Sequence, residues 1–263
     1  MKRNFKFIAT LIRMKLSHMM VFRLSFFGAF FVDGSLFLLQ LLMFRAIYTQ
    51  VDSIGGWSQG QMLIFVGTFS LINALNMVIF FFGVIGIPDK IKSGSLDYYL
   101  TKPANPLLRL TFEEVNLGSV PLIFLSIGII IYGVSVQRAH VTPLLCIGYA
   151  VFVILMTLLW YDTELILRTI SFFVISTTAI SQLESSTLEM CLKLPGTLFK
   201  GFWRFLFWFV LPYGIMATLP TQLITRTLSS QGFSYGILIT LSFTAFALRF
   251  WKFGLRHYKS ASS

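Results

Sequence analysis

Apolar residues along this chain fall into long blocks separated by short polar or basic stretches. A helix needs about 20 apolar residues to cross the hydrocarbon core of a bilayer. Six blocks meet that length or come close to it: residues 21–48, 61–86, 110–134, 143–161, 169–191 and 235–253. The pattern predicts an all-α polytopic membrane protein, a single transmembrane domain with six spans. Residues 1–20 read differently. Lys2, Lys6, Thr10, Arg13 and Ser17 recur at helical spacing, with Phe5, Ile8, Leu11, Ile12, Leu16 and Met19 on the other side. This predicts an amphipathic helix on the membrane surface, with Lys15 snorkelling. A plain solvated terminus is the alternative. Residues 201–219 are apolar and are punctuated by Pro212, with Pro220 just beyond. They read as a re-entrant segment before the last span, or else as one more full span.

Composition narrows the class. Of 263 residues, 56% are hydrophobic and only 12% charged, against about 25% charged in soluble domains. A water-soluble globule and a disordered chain are both excluded, and the spans leave no room for a separate soluble catalytic domain. The net charge of +11 comes from 21 Lys and Arg against 10 Asp and Glu. With six spans and both termini in the cytoplasm, fifteen of those cations lie inside and six outside. That bias is the one that sets membrane topology, so the charge points to lipid headgroups and not to nucleic acid. Cys146 and Cys191 sit in apolar stretches without a C-x-x-C spacing, which argues against a metal site or disulfide framework. Basic residues stud the first 20 positions, so no cleavable signal peptide is expected and the mature chain is expected to begin near Met1.

The chemistry motifs are informative by what they omit. No G-x-x-x-x-G-K-[ST] phosphate loop occurs, nor H-E-x-x-H, nor G-x-S-x-G, and His18, His140 and His257 are far apart. The most polar interior stretch is 87–106, Ile-Pro-Asp-Lys-Ile-Lys-Ser-Gly-Ser-Leu-Asp-Tyr-Tyr-Leu-Thr-Lys-Pro-Ala-Asn-Pro. Lys90 and Lys92 place it in the cytoplasm. Its pattern fits a rigid, partly apolar knob that a partner could push on, and equally a plain connecting loop.

The chain resembles the permease subunits of bacterial type-2 ABC exporters. The resemblance rests on Ile91, Gly94, Leu96, Asp97, Leu100, Pro103 and Pro106 in this loop, on the later Pro195, Pro212 and Pro220, and on the tail Gly254-Leu255-Arg256-His257-Tyr258-Lys259-Ser260. It covers essentially the whole chain. It implies an elbow helix, six spans, a coupling loop between spans two and three, and re-entrant segments before the last span. It also implies a second permease, identical or homologous, and two copies of a cytoplasmic ATP-binding subunit. ATP and Mg are expected on that partner, with no cofactor bound by this chain. By the same resemblance, the coupling contact involves Ile87, Asp89, Lys90, Ile91, Gly94, Leu96, Asp97 and Leu100. The location implied is the bacterial cytoplasmic membrane.

Four residues are candidates for the translocation pathway. Asp33 lies near the middle of the first span, where an acid is costly; the alternative is a structural hydrogen bond. The fifth span carries Gln182, Glu184, Ser185, Ser186, Thr187 and Glu189, a load that must face protein or water. In such exporters that span borders the central cavity, which makes Gln182, Glu184 and Glu189 pathway candidates. Pairing of the two acids with Lys193 or Arg204 is the alternative. Glu113 and Glu114 are expected to pair with Arg109 or a partner. The expected function is a permease for a hydrophobic or amphipathic substrate. An ATP-independent carrier or channel is the rival reading, disfavoured by the lack of an internal repeat, and a membrane enzyme comes third.

Overall fold

The computed structural model describes Thr10 and residues 23–174 and 176–258; the side chains of residues 23–30, 32, 33, 36, 37 and 40 lie outside that description. The expected surface helix over 1–20 therefore lies outside the described residues, apart from Thr10. Among the described residues the elements are helical, and the one departure is an isolated antiparallel bridge between Ile54 and Trp57.

In chain order, α1 is Arg23–Tyr48. Helix α2, Gln59–Asn76, opens on a capping box at Ser58 and continues through a π turn, Met77–Phe81, into Phe82–Ile85. Three short helices follow: α3 Ile87–Lys92, α4 Asp97–Leu100 and α5 Pro106–Glu113. Then come α6 Val120–Gln137, α7 Pro143–Thr169 and α8 Thr178–Lys193. Helix α9, Gly201–Phe205, runs into a π turn, Leu206–Val210. Last are α10 Tyr213–Met216, α11 Thr218–Ile224 and α12 Ser230–His257.

Among the described residues four helical stretches are long and apolar enough to cross a membrane: Gln59–Lys92, Leu117–Gln137, Pro143–Phe172 and Ser230–His257. A fifth is possible if the pair Gly201–Val210 and Tyr213–Ile224, bent by 77°, counts as one span.

Several boundaries differ from expectation. The expected span 110–134 is split. Helix α5 ends at Glu113, and the chain turns at Asn116, whose side chain accepts from the Gly118 amide and whose own amide donates to the Val78 carbonyl at 3.0 Å. The stretch Asp162–Arg168, expected as a charged turn between spans 143–161 and 169–191, is helical and belongs to α7. Its charged groups find partners inside the protein, Glu164 on Arg168 and Asp162 on the Thr244 hydroxyl, so it need not leave the helix. The helix that follows, α8, has only 16 residues, about 24 Å at 1.5 Å per residue, short of a full crossing. Helix α12 is longer than the expected 235–253 at both ends.

Small residues set the packing, as they do wherever lipid supplies no hydrophobic drive between helices. A Cβ added at Gly133 on α6 would come within 2.9 Å of the Ile64 backbone nitrogen on α2, and one at Gly67 would come within 3.2 Å of the Ile130 nitrogen. The same two helices share the Ser126–Ser70 hydroxyl contact at 2.7 Å. Gly83 lets the end of α2 meet α5, where a Cβ would lie 2.2 Å from the Leu110 carbonyl oxygen. Gly236 on α12 packs against Phe152 of α7 and Leu219 of α11.

The main apolar core joins α2, α6, α7 and the bent pair, and includes Phe65, Phe69, Phe152, Met156, Trp160, Phe207 and Tyr213. A second, smaller cluster sits at the opposite end from Trp57 and unites Val84, Ile87, Leu96, Tyr99, Leu107, Leu110, Leu165, Ala247 and Trp251. Cys146 and Cys191 are free thiols.

Candidate functional site

The loop after α2 is a folded knob. Pro88 opens α3, where a missing amide costs nothing. The chain then reverses at Gly94, whose φ of 72° lies in the left-handed region that glycine reaches without strain. The Leu96 amide closes the turn onto the Lys90 carbonyl at 3.0 Å. Asn105 caps α5 by accepting from the amides of Leu107, at 3.0 Å, and Leu108, at 3.3 Å.

Ile87, Leu96 and Tyr99 turn inward from this knob. They pack on the end of α2 at Val84, on α5 at Leu107 and Leu110, on α7 at Leu165, and on α12 at Ala247 and Trp251. Asp89 and Leu100 face outward, as do Lys92 and Tyr98, while Lys90, Ile91, Gly94 and Asp97 are half-buried.

One face of the knob is an array of cations and rings. The Arg109 guanidinium lies 4.6 Å from the Tyr98 ring centre and 4.8 Å from that of Tyr99. Lys102 sits over Tyr98 at 5.1 Å and Lys90 over Tyr99 at 5.6 Å. Arg109 pairs with Glu113 at 3.3 Å, as expected, and Glu113 also accepts from the Tyr99 hydroxyl at 3.3 Å. Burial, and then the Glu113 carboxylate, push the Tyr99 phenol up to about 12. The exposed Tyr98 phenol moves the other way, lowered by its contact with Arg109. Tyr258 closes the cluster from the end of α12; its phenol is raised first by burial and then by the Asp97 carboxylate beside it.

One helical turn beyond Trp160, α7 holds a buried charge cluster. Arg168 donates from Nη2 to Glu164 at 3.1 Å and to Glu184 on α8 at 2.5 Å, and from Nη1 to Ser181 at 3.0 Å. The Trp160 indole donates to Glu164 at 3.3 Å, and the Tyr213 hydroxyl on α10 donates to Glu184 at 3.0 Å. The Arg168 side chain is 5% exposed and those of Glu164 and Glu184 are 2% and 4%. On the adjoining face, Asp162 accepts from Thr244 of α12. The segment thus ties α7 to α8, to the bent pair and to α12. Leu165, which follows Glu164, belongs to the cluster under the knob.

The three pathway candidates whose side chains are described do not converge on one site. The Asp33 side chain lies outside the described residues. Gln182 is exposed. Glu189 is exposed and pairs with Lys193 at 2.6 Å, whereas Glu184 is buried on Arg168. Sequence reasoning missed Glu164, Arg168 and Tyr213 as Glu184's company. The available signal was the spacing of Glu164 and Arg168, one helical turn apart, where opposite charges face each other. No group of three or more His, Cys, Asp or Glu that could hold a metal occurs among the described residues.

A family model described as ABC-2 family transporter protein matches residues 35–262. No curated protein and no solved structure matches the chain.

Proposed function

This chain belongs to the ABC-2 family of transporter proteins, a multi-pass membrane component of an ABC transporter, and from that premise we propose that it is the permease of an ATP-driven exporter whose knob at 87–100 receives the stroke of a cytoplasmic ATPase. The observation that carries the reading is the double character of the knob. Leu100 and Tyr98 present an exposed apolar and aromatic tip, while Ile87, Leu96 and Tyr99 reach back onto the ends of α2, α7 and α12. A push on the tip is therefore delivered to three long helices at once, because packed side chains transmit displacement and do not absorb it.

In this reading the layout is six-span, N-in, C-in, with an elbow helix before it, and α1 and the bent pair, taken as one broken crossing, add the two spans beyond the four long apolar helices. Two such permeases, identical or homologous, pair over two ATP-binding subunits, which hold the ATP and Mg. The setting is a bacterial cytoplasmic membrane. The pathway runs past Asp33 and the exposed face of α8 at Gln182. Glu184 and Glu189 bias its charge while engaged with Arg168 and Lys193. The cargo is hydrophobic or amphipathic.

The test is to co-express the chain with its ATPase and to measure ATP-driven export in inverted vesicles for the wild type and Leu100→Asp. The substitution places a charge on the exposed tip and leaves the buried cluster untouched. Export is expected to fall by about tenfold, the scale of losing one interface anchor, with membrane insertion unchanged. Full export by the variant, or export by the purified chain without an ATPase, overturns the reading.

A further inference from the structure

A second site lies at the other end of the bundle, between the bent pair and the start of α12. It is a cavity of about 440 Å³, within the ~300–1,000 Å³ span of small-molecule pockets. Its back wall is the stacked pair Trp208 and Tyr235, ring centres 5.7 Å apart. Both rings have spent their polar ends inside the protein. The Trp208 indole donates to the Gly196 carbonyl at 3.0 Å, and the Tyr235 hydroxyl donates to the Trp208 carbonyl at 2.5 Å. Gly196 is fixed in turn by the Thr218 hydroxyl, which accepts from its amide at 2.8 Å. The floor is anchored through Thr197, which accepts from the Trp57 indole at 2.9 Å. The ring planes are therefore set before any ligand arrives, which reduces the ordering cost of binding.

The charge of this pocket is one-sided. Arg204 lies with its guanidinium 5.0 Å from the Trp208 ring centre. A guanidinium beside a ring face retains N–H donors for an oxyanion, and Arg204 is exposed. Gln222 and Gln231 add side-chain amides to the lining, and no Asp or Glu is among the residues that form it. On the outer flank of the same segment, Phe205 and Phe209 stack at 5.7 Å and are 56% and 52% exposed. A polar cationic recess thus adjoins an open aromatic strip, on a chain that sits in lipid.

We propose that this pocket binds the phosphate headgroup of an anionic membrane phospholipid, with Arg204 on the phosphate and an acyl chain along Phe205 and Phe209. The lipid's phosphate meets the only cation that lines the recess among the described residues, and its chain covers rings that the protein leaves bare. The site goes beyond the coupling proposal and does not depend on it, since binding here needs no ATPase and no nucleotide.

The test uses the full chain purified in a neutral detergent and titrated with short-chain phosphatidylglycerol, with short-chain phosphatidylcholine and with inorganic phosphate, binding being read by tryptophan fluorescence. Phosphatidylglycerol is expected to saturate, phosphatidylcholine to bind weakly, and inorganic phosphate to compete poorly because it lacks the chain. Arg204→Gln is expected to weaken phosphatidylglycerol by about tenfold, the scale of one charge-assisted contact, with Arg204→Lys recovering part of it. Arg45→Gln, an exposed cation on α1, serves as the control and is expected to change nothing. Equal losses in Arg204→Gln and Arg45→Gln overturn the proposal by reducing it to general attraction. Equal binding of the two lipids, or competition by phosphate at lipid-like concentrations, overturns it as well, the last pointing to a free-anion site.

Discussion

Helix α8 carries the same chemistry twice, in two environments. Glu184 meets Arg168 at 2.5 Å with both side chains at most 5% exposed, and Glu189, five residues later, meets Lys193 at 2.6 Å with both largely in the open. Distance does not separate these pairs; surroundings do. In water a charge pair gains little, since each ion gives up hydration to make the contact and salt screens what remains. Inside the protein the attraction is strong, but so is the cost of bringing the ions there, and the balance depends on every remaining partner being supplied. The structure supplies a further donor to Glu184 through Tyr213 and to Glu164 through Trp160, leaves Arg168 Nε without a hydrogen bond, and gives neither Glu189 nor Lys193 a further hydrogen bond among the described residues. The buried cluster therefore acts as a joint between helices, and the exposed pair decorates one of them.

Removing the shared cation should break the joint most severely. Arg168→Gln leaves two carboxylates facing each other without their counter-ion, and losing one partner of a buried pair costs roughly 3–5 kcal/mol. The thermal unfolding midpoint of the purified chain in detergent should fall by more than in any other single variant of this cluster. A triple replacement, Glu164→Gln with Arg168→Met and Glu184→Gln, should recover part of the loss, since neutral groups of similar volume cost far less to desolvate than ions. If Arg168→Gln melts with the wild type, the cluster is wetted in the working protein and the comparison between the two pairs collapses.

Tyr213→Phe sharpens the same contrast at a smaller scale. It removes the hydroxyl that donates to Glu184 at 3.0 Å and keeps the ring, which packs edge-on to Trp160 at 5.6 Å. An acceptor left short of one donor costs about 1–3 kcal/mol. The midpoint should drop by less than for Arg168→Gln, with α10 and the bent pair loosening first, as hydrogen exchange at residues 213–224 would report. A uniform loss of protection across the chain would show that this hydrogen bond supports the whole core and not one joint.

Much of the architecture was readable from residue order, and what was missed shares one cause. The apolar blocks located α2, α6, α7 and α12, because span length and hydropathy are local properties. The turn expected at Asp162–Arg168 was wrong because a window of sequence counts charges and cannot see which partners they find. Glu164 meets Arg168 one helical turn along, and Asp162 is satisfied by Thr244, 82 residues away. The break at Asn116 has the same origin, since its amide finds the Val78 carbonyl on a different helix. In the knob, the left-handed turn at Gly94 suits its residue type, and the inward set Ile87, Leu96 and Tyr99 follows once that turn is placed. The surroundings of the pathway candidates were the least legible. A polar run on α8 signals that some face is not in lipid, but the side chain that meets each acid is decided by Arg168 on α7 and Lys193 on α8 itself.

The smallest expected effect is also the most discriminating. Glu189→Gln removes a charge from a contact shorter than most ion pairs, and a reading based on distance alone would rank it beside Arg168→Gln. The exposure of both side chains, 66% for Glu189 and 49% for Lys193, argues that water replaces the lost partner at once. The unfolding midpoint should match the wild type at low salt and again at high salt, where screening would already have weakened the pair. A clear drop at low salt that vanishes at high salt would show the pair to be worth more than its exposure allows. A drop that persists at high salt would mean that this face of α8 is covered by another surface in the assembled protein, so that the two pairs on this helix share one environment after all.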